Sequence, residues 1–526
     1  MFVMHPQVMG HIDRLDQLRV PYLESKEIER ELLNNPPYNP QKSTLPDRPD
    51  GAMQTFSGPL VPGSAGLTFD GLGQGITGPN GTFSVNSVPP DPNLAVGTTQ
   101  MIQTVNSGFA IYNKSTGAMT LGPYTIQTLW SVLAANSACT GAITGEGVSM
   151  SDPVVSFDNF AQRWIISVLA LPYNTSTGAY IPPMYHCVAY SATADAGGSW
   201  TVMQYNPGAY FSGGTNDLPD YPKQGVWRDA YTFSYDMFNS TGSSYVAGLI
   251  CGMDRNAILG GSLSPTIICF KKTSTDYAML PSTMDGSTYP PLQTSGTAGT
   301  DTCSSGSPCQ PKSIFFELQD VNGSSTTLEY YRVHFNFVTT SHSAVDTRGT
   351  ITVSSYNTAT CSNTSKCAVQ PTHTGSLPSG ETFASESTLD TLADHAMWRA
   401  AYRNFGSYES VVFDSSVNAG PTSSADPRWY ELRGINSSTG TGTPTVFQQS
   451  TFNPDSGSLF RFMGSIAADH NNNMLLGYTG SSSTIFPSLY VTGRLVGDTV
   501  STMETEQKVF AGLNSQVNVK IGRAHV

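Results

Sequence analysis

Apolar residues recur along this chain mainly with a period of two, in short runs bounded by Gly, Pro, Asn and Ser, the signature of half-buried strands joined by tight turns. Tyr331, Val333, Phe335 and Phe337 show it clearly, each separated from the next by one polar or less apolar position. The runs group into six units: "MIQTVNS" with "FAIYNKSTG" after Asp91; "SDPVVSFDNFAQRWIISVLA" with "HCVAYSATADAGGSWTVMQY"; "DYPKQGVWRDAYTFSYDMF" with "YVAGLICGMDR" and "TIICFKK"; "SIFFELQD" with "LEYYRVHFNF"; "WRAAYRNFGSYESVVFDSS" with "RWYELRGI"; and "FRFMGSIAADHNNNMLLGYTGSS" with "SLYVTGRL". Repetition of small antiparallel sheets predicts an all-β fold, a β-propeller with six visible blades and insertions between them. A large β-sandwich would also show alternating strands.

The first 50 residues differ. They hold 14 of the chain's 65 charges, and Ile12, Leu15, Leu18, Tyr22 and Ile28 recur at helical spacing broken near Pro21. This predicts a charged, partly helical N-terminal arm over residues 1–50. A Gly/Pro-rich lead-in follows over 51–87, and the propeller over 88–520.

Composition agrees with many short strands. Only 12% of residues are charged, and Gly and Pro number 50 and 34. A net charge of −13 repels phosphate backbones, and no Lys/Arg cluster interrupts it, which excludes nucleic acid as a partner. No apolar stretch is long enough for a transmembrane helix. The eight cysteines pair as chain neighbours, Cys139 with Cys187, Cys251 with Cys269, Cys303 with Cys309 and Cys361 with Cys367, and imply an oxidising compartment. Zinc, the rival reading, lacks CxxC or Cys/His spacing. The start "MFVMHPQVMGHIDRLDQLRV" has no basic segment followed by an apolar core, so a secreted or periplasmic location is read from the cysteines and not from a signal peptide.

"TADAGGSW" fits the Ser/Thr-x-Asp-x-Gly-x-x-Trp Asp-box of sialidase-like propellers: Thr193, Asp195 accepting backbone N–H bonds, Gly197 at positive φ, and Trp200 folded onto the blade. In such proteins the box marks the fold and lies away from the active centre. Further phrases, "PPDPNLAVG", "SDPVVSFDNFAQRW", "DYPKQGVWRDAYT", "MWRAAYRNFGSYESVV" and "RFMGSIAADHNNNMLLGYT", occur in an order that resembles a set of secreted bacterial, acidobacterial-type proteins. The matching phrases there are "PPDTNGAVG", "GDPVVLYD…RW", "DYPKLGVWPDAYY", "MYRLAYRNFGDHESLV" and "RWMGSIAMDKNGNIALGYS". The resemblance covers about residues 65 to 515 and implies export and a propeller, with no catalytic assignment. Departures are Arg228 where Pro is usual, and Pro92 and Leu94 in the first motif. It also implies a further strand-rich segment after Gln516 and so a seventh blade in the complete gene. The closing "IGRAHV", Ile521–Val526, reads as a translated sequencing adapter, ATC GGA AGA GCA CAC GTC, which implies a truncated metagenomic gene.

The candidate chemistry lies in acidic turns. Asp91, Asp152 and Asp220 each stand just before the first strand of a unit, and Glu409 precedes "SVVF" similarly. First strands surround a propeller's axis, so these carboxylates, with Lys223, Arg403 and Tyr408 as donors, would converge on one polar cleft. Such a set can bind a sugar, hold Ca²⁺ through hard oxygens, or act as an acid/base pair. The plainer reading is that each Asp caps its own turn beside a Pro. No HExxH, Gly-x-Ser-x-Gly or Walker loop appears, and "DVNGSS" at Asp320 and "DHNNN" at Asp469 lack the distal Glu of an EF-hand. His186, His334 and His395 read as packed or surface residues, and Trp164, Trp200 and Trp429 as core.

The expectation is a monomeric exported propeller that recognises or processes an extracellular glycan or other polymer, catalytic or not. Its rivals are a glycoside hydrolase or lyase using Asp91, Asp152, Asp220 or Glu409, and an adhesion or scaffold module without a small-ligand site.

Overall fold

A computed structural model describes residues 1–18, 49–59, 66–84, 90–211, 216–318, 324–358, 367–375, 388–419 and 424–516. The chain is all-β and separates into two compact units. The first takes its described residues from Met1–Tyr38, Ser64–Tyr277 and Phe335–Ser343, and the second from Asn39–Gly63, Ala278–His334 and Ala344–Val526.

The first unit holds three antiparallel meander sheets in chain order. Sheet one is Asn93–Val96, Gln100–Val105, Gly108–Asn113 and Met119–Thr125; sheet two is Gly147–Asp158, Arg163–Tyr173, Tyr185–Ser191 and Trp200–Tyr205; sheet three is Leu218–Val226, Ala230–Phe238, Tyr245–Asp254 and Ile267–Lys271. Their first strands lie beside one another, as the inner strands of propeller blades do. Strands of sheets two and three are buried along almost their whole length because both faces are covered, which hides the expected period of two. Trp130, Trp164 and Trp200 anchor one core, with Ile102, Phe109, Ile166 and Val202 around them.

The N-terminal segment is not an arm outside this body. Phe2–Met4 adds an outer strand to sheet three, and Val8–Ile12 adds one to sheet two. Leu15–Gln17 is a single 3₁₀ turn. The outer strands of both sheets present unpaired N–H and C=O groups, and pairing them outweighs the weak helical spacing of Ile12, Leu15 and Leu18. Tyr22 and Ile28 lie outside the described residues.

The second unit also carries three meanders. Sheet four is Leu280–Asp285, Ser313–Leu318, Ser324–His334 and Gly349–Asn357; sheet five is Ala400–Asn404, Glu409–Ala419, Ser424–Arg433 and Thr445–Phe452; sheet six is Phe460–Ala468, Met474–Ser481, Ser488–Arg494 and Gln507–Phe510. Ser282–Asp285 pairs in parallel with Ala400–Arg403 and joins sheets four and five at their first strands. Met53–Gln54, read from sequence as lead-in, pairs in parallel with the last strand of sheet five. Sequence alternation overran the end of one strand: it stops at His334, and Phe335 belongs to the first unit, where its ring lies 6.1 Å from that of Phe270.

Three disulfides join the expected cysteines, Cys139–Cys187, Cys251–Cys269 and Cys303–Cys309, as suits an oxidising compartment. Cys361, the partner expected for Cys367, and Ile521–Val526 lie outside the described residues. No helix among the described residues is long and apolar enough to cross a membrane.

Candidate functional site

One backbone device recurs at first strands, just ahead of them at Asp91 and Ala278 but inside them at Asp152, Tyr221 and Met463, so Asp152 and Asp220 lie within their strands and not before them as the sequence suggests. Asp91, Asp152, Tyr221, Ala278 and Met463 all take the left-handed conformation, with φ of 43°, 57°, 50°, 50° and 51°. Such angles are rare outside glycine, and each costs on the order of 1–3 kcal/mol. Register shifts between Ser151 and Val154, Asp220 and Lys223, and Phe462 and Ser465 show the same β-bulge at three of these places. Bulges re-aim side chains and are enriched beside functional sites. The alignment corrects one expectation. Asp91 and Asp152 are equivalent to each other, but in sheet three their place is taken by Tyr221, and Asp220 stands one residue earlier, opposite Asp236.

In the first unit these bulges bring acidic groups around one amine. Lys223 is 3% exposed, as buried as Asp91 and Asp152 at 1% and 5%. Its Nζ lies 3.6 Å from the centre of the Tyr221 ring. Burial pushes the ammonium down to about 8, against the upward pull of Asp152, Asp91, Asp236 and Asp220. Charged groups are seldom buried so completely unless paired.

Asn106 ties the first two sheets together at this place. Its Nδ2 donates to Asp91 Oδ2 at 2.9 Å, and its Oδ1 accepts from the backbone N–H of Asp152 at 3.0 Å. Asn93 Oδ1 accepts from Val155 N–H at 3.0 Å in parallel. Ser151 Oγ donates to Asp152 Oδ1 at 2.6 Å, and Tyr221 N–H donates to Asp220 Oδ1 at 2.8 Å, so local capping also operates. Sequence reading missed Asn106, Asn93 and Asp236. Asn106 looked like an ordinary hairpin residue in "VNSG", whereas Asp236, an acid inside the apolar run "YTFSYDMF", was a legible signal.

Glu409, Arg403 and Tyr408 belong to the second unit and have separate settings there. Glu409 accepts from Tyr402 Oη through Oε1 and from Ser437 N–H through Oε2 at 2.9 Å. Arg403 lies 3.2 Å from Asp285 and donates to Ala468 O at 2.9 Å. Tyr408 stacks against Phe405, ring centres 4.9 Å apart, and under the guanidinium of Arg433.

Among the described residues no group of three or more His, Cys, Asp or Glu side chains is arranged to hold a metal ion. Asp469 closes a hairpin turn, its Oδ1 accepting from Asn471 and Asn473 N–H at 2.8 and 2.9 Å, and Asp320 lies outside the described residues. His186 is buried, its Nδ1 within 2.8 Å of Tyr205 Oη and 2.7 Å of Tyr235 Oη, and burial pushes its ring down to about 3. His334 meets Asp301 at 3.3 Å and His395 meets Asp394 at 2.6 Å. Trp164, Trp200 and Trp429 are fully buried.

In the "TADAGGSW" turn Asp195 Oδ1 accepts from Gly197 N–H at 3.0 Å, and Asp195 N–H donates to Thr193 Oγ1 at 3.2 Å. Gly197, however, does not take positive φ. An added Cβ there would lie 3.0 Å from Leu121 Cδ1, so this glycine serves close packing.

No family model matches the sequence. No curated protein matches it either. Solved structures that match include an exo-β-1,3-galactanase from Clostridium thermocellum, 9% identical over 80% of this chain and 78% of that one, with a TM-score of 0.31. Another is an exo-β-1,3-galactanase from Phanerochaete chrysosporium with β-1,3-galactotriose, 10% identical over 80% and 79%, with a TM-score of 0.28.

Proposed function

We propose that this chain is an exported β-propeller protein that binds an extracellular glycan at the polar centre of its first unit and processes it there. The observation that carries the reading is Lys223, buried among Asp91, Asp152, Asp220 and Asp236 beside three left-handed backbone turns. A site made only for stability gains little from burying Lys223, Asp91, Asp152 and Asp236 with Asp220 half-buried beside them and straining three residues, whereas functional sites concentrate both features. Carboxylate oxygens and an ammonium supply the acceptors and donors that sugar hydroxyls require. An amine held at about 8 can exchange a proton near neutral pH, and a neighbouring carboxylate can serve as its acid or base counterpart. Hydrolysis through two of the carboxylates and elimination with Lys223 as base both fit this set.

The hydrogen bonds of Asn106 favour one rival, a non-catalytic scaffold in which the same groups only join sheets one and two. Binding and turnover of a panel of plant and bacterial polysaccharides by wild type, Asp152→Asn, Asp220→Asn and Lys223→Met separate the two. Loss of binding or turnover at an unchanged melting temperature supports the glycan site. Lower melting temperatures in variants that bind and turn over as wild type does would overturn it in favour of the scaffold.

A further inference from the structure

The second unit carries an ordered stack of planar groups that the polar centre does not use. Arg433 ends the third strand of sheet five, and its guanidinium carbon lies 3.8 Å from the centre of the Tyr408 ring and 3.3 Å from that of Phe447. Phe405 continues the stack behind Tyr408 at 4.9 Å and 23°.

Each layer is fixed by backbone or by a buried anchor. Phe405 N–H donates to Tyr408 O at 2.9 Å and closes the turn that holds both rings, with Gly406 at φ 84° at its tip. Arg433 Nε donates to Glu431 Oε1 at 2.7 Å. Glu431 is fully buried and also accepts from Ser410 Oγ at 3.2 Å, Asn472 Nδ2 at 3.2 Å and Gln448 Nε2. Phe447 is the extra residue of a β-bulge: Glu431 pairs with Gln448 and Leu432 with Val446, which skips Phe447 and turns it onto Arg433.

Phe447 is nonetheless 45% exposed, so much of it stays open to solvent while its ring packs on Arg433. Four planar groups packed on one another, with a half-exposed ring among them, form a platform that loses little side-chain entropy on binding. The charge of Arg433 is spent on Glu431, so the platform presents an apolar ring rather than a cation. An exposed apolar aromatic ring matches the C–H face of a pyranose ring.

We infer that the Phe447–Arg433–Tyr408–Phe405 stack is a second carbohydrate-binding platform, which takes one sugar ring of the polymer whose processing is proposed for the polar centre. The inference rests on that glycan reading. Affinity electrophoresis in native gels cast with arabinogalactan, laminarin, xylan or galactomannan tests it. Wild type should be retarded by at least one polymer, Phe447→Ala should weaken retardation about tenfold, the worth of one good aromatic stack, and Phe447→Trp should restore it. Melting temperature, and oligosaccharide binding lost in Lys223→Met, should be unchanged in Phe447→Ala. Equal retardation of wild type and Phe447→Ala, with weakened retardation of Lys223→Met, would overturn the platform and leave the glycan reading standing. A wild type retarded by none of the polymers would overturn both. A change of oligomeric state in Phe447→Ala, without change in retardation, would reassign the stack to contact between copies of this chain.

Discussion

Asp414 offers a test of the packing between sheets five and six. It lies mid-strand in Glu409–Ala419, 1% exposed, and its Oδ2 is buried without a hydrogen-bond partner among the described residues. A Cβ added at Gly464 would overlap this oxygen, so the bulged backbone of sheet six closes over the carboxyl. Burial alone pushes the group up to about 8. Well below pH 3.8 it is protonated in folded and unfolded chains alike and has no effect on stability. As pH rises through 3.8 the unfolded chain releases the proton while the folded chain keeps it, so stability falls until the folded state ionises at about 8. That span corresponds to about 5 kcal/mol of lost stability at pH 8, and about 3 kcal/mol at pH 6. Asp414→Asn is isosteric and cannot ionise. It should therefore exceed wild type only slightly at pH 4 and increasingly towards pH 8. Urea titrations of both proteins between pH 4 and pH 8 measure the difference. A gap that stays constant, or widens towards acid, would refute burial of a neutral carboxyl here.

Further outcomes follow from other buried groups. His186, held at about 3, has the opposite sign: the unfolded chain takes up its proton below about 6.5 and the folded chain does not, so stability falls as pH drops from there towards 3. His186→Phe should flatten that acid limb in thermal melts, even though it leaves Tyr205 and Tyr235 one acceptor short. Arg461 binds Asp426 at 3.2 Å, Asp455 at 2.9 Å and Glu506 at 2.7 Å, and Arg461→Leu strands the fully buried Asp426, which should cost about 3–5 kcal/mol in chemical denaturation. Removing the Cys139–Cys187 bridge, which closes a separation of 48 residues, by double substitution to Ala should cost about 4 kcal/mol by the loop-entropy relation. Asn106→Ala should lose about 1–3 kcal/mol and speed amide hydrogen exchange at Asp152, whose N–H it leaves without that acceptor.

Sequence alone determined the elements. Alternating apolar runs with Gly, Asn and Ser turns dictate antiparallel meanders whatever the partner sheet is, because the period of two and the turn residues act over a few positions. Three of the cysteine pairs and the bond that Asp195 accepts from Gly197 were legible for the same reason. Tertiary structure decided what depends on residues distant in the chain. The N-terminal strands were hidden because their pairing is set by the free edges of sheets two and three, far along the chain, as the pairs Val8 with Gln204 and Phe2 with Cys269 show. The shift of Asp220 away from the place shared by Asp91 and Asp152 was hidden because "DYP" and "SDP" look alike, while a bulge of one residue reverses which side chain faces the centre. Lys223 could be named as a donor from its neighbours, but its burial among four acids arises only when three sheets set their first strands side by side. Arg433 and Phe447 escaped notice altogether, since each belongs to a different strand and only the bulge at Phe447 stacks them.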